Sequence, residues 1–136
     1  LDFFFAGQQP RDWNQWAEVV SRTPRTPFFV GDLPHAWVES DYVRSVLDMF
    51  AYERPQDESI VLAAGIPAGW LAGEGIAVDG LRTPGGPLSY SLREDGSRLR
   101  LEVQGGLTLP PGGLVFPWNG HERRITRVPA TVEVAR

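Results

Sequence analysis

The sequence predicts a mainly β fold, an antiparallel β-sandwich preceded by two N-terminal helices. Three observations lead there. From about residue 55 the chain breaks into short apolar or alternating segments separated by Gly and Pro, the punctuation of a sandwich. Within that stretch "PLSYSLREDGSRLRLEVQG" sets Leu88, Tyr90 and Leu92 against polar neighbours, turns at "EDGS", and alternates again through Leu99, Leu101 and Val103, which describes a hairpin with one buried and one wet face. Before residue 55 the apolar spacing is three and four instead of two, the period of a helix.

Taken in order, "DWNQWAEVVSR" places Trp13, Trp16, Ala17 and Val20 on one helical face, with Asp12 as its N-cap. The next stretch, "TPRTPFFVGDLP", holds Pro24, Pro27, Pro34 and Gly31, which forbid a continuous helix and imply an ordered loop. From Ser40 the helical period returns through Tyr42, Val43, Val46, Leu47, Met49 and Phe50. Ser40 is placed to cap this second helix and Asp41 to meet its positive end; it runs to about Glu53, where Pro55 stops it. "IVLAAGIP" and "IAVDGL" read as strands, followed by the hairpin and then by "GLVFPW" and "ATVEVA". Residues 1–54 therefore form a helical hairpin, and residues 55–136 a β-sandwich.

A length of 136 residues suits one main domain with a real core. With 42% hydrophobic and 22% charged residues the composition is globular, and no apolar run approaches the ~18 residues of a membrane helix. The opening "LDFFFAG" has no initiator Met, basic leader or cleavage site, so Leu1 reads as a cut inside a longer polypeptide. Seventeen acidic residues outweigh 13 basic ones, for a charge of -4, and no basic stripe exists to hold nucleic acid. Every basic residue is Arg, which excludes lysine Schiff-base and Walker-type chemistry. Cysteine is absent, which removes disulfides, thiolate nucleophiles and thiolate metal sites.

The densest polar cluster is Asp32, His35, Trp37, Glu39 and Asp41. A carboxylate and an imidazole three residues apart can exchange a proton, and an indole beside carboxylates can grip a sugar. The same residues also make an ordinary helix entrance, with Pro34 setting the turn, Trp37 stapling and the acids meeting the helix dipole, and that use is the commoner one. Glycoside hydrolysis needs two carboxyl groups roughly 5 to 10 Å apart, which no spacing here establishes. His121, in "WNGHERR", reads as part of a surface turn. With His35 it falls short of a metal site, so no metal and no cofactor is expected. "GEGIAVDG" lacks the third glycine of a dinucleotide fingerprint, and no nucleophile elbow or P-loop occurs. Trp70 and Trp118, with Tyr90, are the candidate stacking platforms of the β-half, although core packing is the more frequent fate of such rings.

The order of parts resembles a known arrangement. "GDLPHAWVESDYVRSVLDMFAYE" followed by "SIVLAAGIPAGWLAGEGIAVDGLRTPGGPLSYSLREDGSRLRLEVQGGLTLPPGGLVFPW" is similar to the C-terminal end of large bacterial glycoside hydrolase-like proteins built on an (α/α)6 barrel, in the manner of α-L-rhamnosidases. The resemblance covers nearly the whole chain and rests on turns and strands. It implies that the last barrel helices lead into a C-terminal sandwich, and that His35 occupies a place that can line a sugar pocket. It also implies that the catalytic acid and base lie upstream, so that this chain alone is inert. The expectation is then a non-catalytic accessory domain partnered by an upstream catalytic domain, periplasmic or secreted. The alternative is a carbohydrate-binding module. It would stack sugar on Trp70, Trp118 and Tyr90; the candidate sugar-contacting residues of the chain as a whole are Asp32, His35, Trp37, Trp70 and Trp118. A third reading is a small enzyme using Asp32, Glu39 and His35. Neither nucleic acid nor membrane is an expected partner.

Overall fold

A computed structural model describes residues 1–8, 11–19 and 31–136. They form two compact units, Leu1–Leu47 and Asp48–Arg136, with the division inside a helix and not at residue 54. The fold is mainly β with helices at the N-terminal end, as the apolar spacing predicts.

The helices themselves sit differently from the expectation. A five-residue helix, α1 (Asp2–Ala6), opens the chain, and only a single 3-10 turn, Arg11–Trp13, occupies the start of the expected first helix. Asn14 at φ 47° ends that turn, and Trp16 is extended, forming an antiparallel bridge with Gln8. The reason is aromatic packing. Trp16 stacks on Tyr42 with ring centroids 4.7 Å apart, meets Phe4 edge-on, and donates its indole N–H to the Phe4 carbonyl. These contacts hold Trp16 and Ala17 buried and leave Trp13 exposed, so the three residues do not share a helical face. Val20 onward, with Pro24 and Pro27, lies outside the described residues.

The long helix, α2 (Ala36–Phe50), begins four residues before Ser40, and the His35 carbonyl accepts the Glu39 N–H at its first turn. Ser40 is therefore not the cap. Its hydroxyl donates to the Trp37 carbonyl within the helix, and Ser45 does the same to Asp41. At its other end the helix stops at Phe50, because Ala51–Arg54 is drawn into a sheet as β1.

The second unit holds two four-stranded sheets. The first is ordered β1 (Ala51–Arg54), β2 (Ser59–Leu62), β6 (Leu114–Trp118), β7 (His121–Ile125). The second is ordered β3 (Ile76–Thr83), β4 (Gly86–Asp95), β5 (Arg98–Val103), β8 (Ala130–Ala135). All neighbours are antiparallel except β2 and β6, which run parallel with Ile60 beside Leu114. The hairpin of β4 and β5 lies where the alternation puts it, Leu92 opposite Leu101, closed by Gly96–Ser97 with Gly96 at φ 61°. "WNGHERR" is more than a surface turn: Asn119 and Gly120, at φ 48° and 75°, make a two-residue turn of the type I′ pattern, and His121 starts β7.

One hydrophobic core joins the sheets. Leu88, Tyr90 and Leu92 of β4 and Leu99, Leu101 and Val103 of β5 meet Ile60 and Leu62 of β2 and Leu114 and Phe116 of β6. Each buried leucine is worth roughly 1.5–3 kcal/mol of transfer free energy. At one end of the sandwich the connections touch backbone to backbone. A Cβ on Gly85 would lie 2.0 Å from the Thr108 carbonyl oxygen, and one on Gly112 2.0 Å from that of Asp57, so only glycine fits either place.

Candidate functional site

The sequence-predicted site residues are divided between the two units, Asp32, His35 and Trp37 in the first and Trp70 and Trp118 in the second. In the first unit Asp32 is exposed and its carbonyl accepts the Glu18 N–H; the His35 N–H donates to the Trp16 carbonyl at 2.8 Å. Trp37 is 79% exposed and edge-on to His35 at 6.0 Å. Glu39 and Asp41 both lie inside α2, Glu39 in its first turn. The backbone of Asp32 and His35 thus joins the loop to the 16–18 segment. The His35 Nδ1 is buried without a hydrogen-bond partner among the described residues.

In the second unit Tyr90 is 1% exposed. Its ring is a core residue, and its hydroxyl donates to the Phe50 carbonyl at 2.7 Å, so it cannot be a sugar platform. Burial pushes its phenol pKa up. Trp70 is half-exposed in the 3-10 turn Ala68–Leu71, tilted against Phe50. Trp118 is half-buried at the end of β6. Its indole lies nearly parallel to Phe116, and its Nε1–H donates at 3.0 Å to the Ala135 carbonyl on β8, bridging the two sheets. It lines a concavity of about 190 Å³ with Asn119, His121, Arg123, Val134 and Ala135, which does not include Trp70.

Two further features escaped the sequence reading. The outer face of the first sheet carries an ion network. The Arg54 guanidinium grips Asp57 through Nε and Nη2 at 3.0 and 2.8 Å and reaches Glu122 at 2.6 Å. Arg124 donates to Asp57 at 2.8 Å and to the Gly112 carbonyl, and the buried Ser59 hydroxyl completes the Asp57 shell at 2.7 Å. Arg54 and Glu122 sit on the two edge strands, so their bond spans the central strands β2 and β6. There Val61 and Val115, 1% and 0% exposed, belong to no part of the inter-sheet core. Hydrogen bonds from Arg54, then Arg124 and Ser59, hold the Asp57 carboxyl well below the usual range, and Arg54 lowers Glu122 as well.

The second feature is a cleft of about 420 Å³ at the end where Gly85 and Gly112 make their close approaches. Pro55, Pro84, Pro110 and Pro111 wall it, Ile60 and Leu109 floor it, and Glu53 and Glu58 stand at its rim. Glu58 holds φ 53°, and its carbonyl accepts the Gly112 N–H. The cleft is a largely apolar recess that also carries Arg54 and the hydroxyl residues Ser59 and Thr108, and its lining holds no imidazole. Among the described residues no three His, Asp or Glu side chains are grouped to hold a metal ion, and no helix is long and apolar enough to cross a membrane.

Comparison with protein-family models, with curated proteins and with solved structures finds no match to the chain.

Proposed function

We propose that this chain is a non-catalytic accessory module that stabilises a larger bacterial carbohydrate-active enzyme of glycoside hydrolase type, its sandwich standing behind a helical catalytic domain. The observation that carries the reading is the apolar surface left open on the Leu1–Leu47 unit. Phe3, Trp13, Trp37, Val43 and Leu47 are 83%, 69%, 79%, 55% and 45% exposed. Large apolar side chains that adjoin on a surface are a sign of a protein contact. Val43 and Leu47 share one face of α2, four residues apart, in the spacing of helix-on-helix packing. The neighbour that fits is another amphipathic helix, such as the preceding helices of an (α/α)6 barrel supply.

The test is a matched pair of proteins. In an enzyme carrying a helical catalytic domain ahead of this chain, Val43→Ser with Leu47→Ser lowers the melting temperature and leaves kcat/KM for its sugar substrate unchanged. In the isolated chain the same pair leaves the melting temperature where it was. A parent enzyme indifferent to the double change, or to removal of residues 56–136, overturns the reading.

A second reading, carbohydrate binding by the sandwich itself, draws on Trp118, half-exposed beside three polar side chains, and on the half-exposed Trp70. Loss of oligosaccharide binding in Trp70→Ala with its thermal transition intact supports a platform there; loss of the fold assigns Trp70 to packing.

A further inference from the structure

The concavity beside Trp118 has a chemistry of its own. Its lining combines an indole, an amide (Asn119), an imidazole (His121) and a guanidinium (Arg123), and no carboxylate side chain. His121 and Arg123 alternate with Glu122 and Arg124 along β7, so the strand divides its charges between two faces. Glu122 and Arg124 are committed to the Arg54 and Asp57 network. Arg123 pairs with no carboxylate among the described residues, and it is exposed in the same concavity as the Trp118 indole.

The indole is fixed before any ligand arrives. Its Nε1–H is tied to the Ala135 carbonyl, and its ring lies at 16° to that of Phe116. Asn119 and His121 are set by the tight Asn119–Gly120 turn, whose pairing places Trp118 opposite His121. A rigid apolar ring, a forked cation and two directional hydrogen-bonding groups are complementary to a ligand with an apolar face, an anionic edge and hydroxyls. A volume of about 190 Å³ admits a single six-membered ring and not a chain of them.

We propose that this concavity binds one carboxylate-bearing sugar residue, a hexuronate, with the guanidinium of Arg123 on the carboxylate and the indole of Trp118 under the ring. The assignment rests on the carbohydrate-binding reading and adds to it the acidic class of sugar. A charged edge strand also discourages sheet-to-sheet aggregation, but that role needs no indole, no amide and no recess beside the charge.

The experiment is an amide NMR titration of the whole chain with glucuronate, glucose and benzoate in parallel. Glucuronate shifts the Trp118 indole N–H and the amides of Asn119, His121 and Arg123, and binds at least tenfold tighter than glucose, a difference of about 1.4 kcal/mol. Added salt weakens it. Arg123→Gln removes that preference without moving the thermal transition, while Arg93→Gln, on an exposed arginine of β4, leaves binding unchanged. Equal shifts from glucose, or from glucuronate after Arg123→Gln, overturn the acidic-sugar assignment and leave carbohydrate binding standing. Benzoate binding as tightly as glucuronate overturns the sugar in favour of any ring carboxylate. Silence with all three overturns the hexuronate and carbohydrate binding at Trp118 together.

Discussion

Tyr90 shows how one side chain can serve packing and polarity together. Its ring fills the core between the sheets, and its hydroxyl reaches the Phe50 carbonyl, which also accepts the Ala63 N–H at 2.7 Å. Removing the hydroxyl alone therefore strands no backbone group. Tyr90→Phe is expected to cost about 0.5–1.5 kcal/mol in urea unfolding, the net value of one hydrogen bond. Truncation to Ala is expected to cost about 3–5 kcal/mol, the cost of deleting a buried aromatic ring. Gly85 and Gly112 belong to the same scale. Because the atoms a Cβ would strike are backbone carbonyls, neither can swing aside, and Gly85→Ala or Gly112→Ala is expected to cost about 1–3 kcal/mol. A wild-type denaturation midpoint in either variant would mean that these connections are not held so closely.

Among the elements, the first sheet depends on its strap of charges. Asp57 is held in its ionised form in the folded protein, so the unfolded chain binds its proton more readily. The stability it contributes is full above the ordinary carboxylate pKa of about 4 and is lost as the pH falls below it. Glu122 adds to the loss in the same direction. Asp57→Asn is expected to flatten the acid limb of a plot of melting temperature against pH, and high salt to do so in part, since the partners are 23–48% exposed. An acid limb identical in the variant would show that other carboxylates set it. The Asn119–Gly120 turn is a second such element. Gly120 at φ 75° tolerates no side chain without strain, and Gly120→Ala is expected to cost about 1 kcal/mol and to perturb the Trp118 indole resonance.

For the molecule as a whole, the docking proposed for the apolar surface of α2 and the recognition proposed for the recess beside Trp118 fall in different units. Those assignments are separable: Val43→Ser with Leu47→Ser is expected to leave glucuronate binding unchanged in a titration of the isolated chain, and Arg123→Gln to leave a parent enzyme's melting temperature unchanged. The sandwich was legible in the sequence wherever a strand advertises itself locally. The alternation through Leu88 to Val103 and the turn at Gly96 place the β4–β5 hairpin without reference to anything distant, because side chains two residues apart share one face. Two strands stayed hidden. Ala51–Arg54 continues the helical spacing of α2 and becomes a strand only by pairing with Ser59–Leu62, and His121–Ile125 is four polar residues before one buried isoleucine. Tertiary structure alone decided the parallel pairing of β2 with β6, the extended course of Trp16, and the joining of Arg54 to Glu122 across 68 residues. By itself the sequence determined which faces are apolar and where the chain can turn, since both follow from the chemistry of adjacent residues. Which surfaces meet depends on contacts between residues far apart in the chain, and no local pattern encodes those.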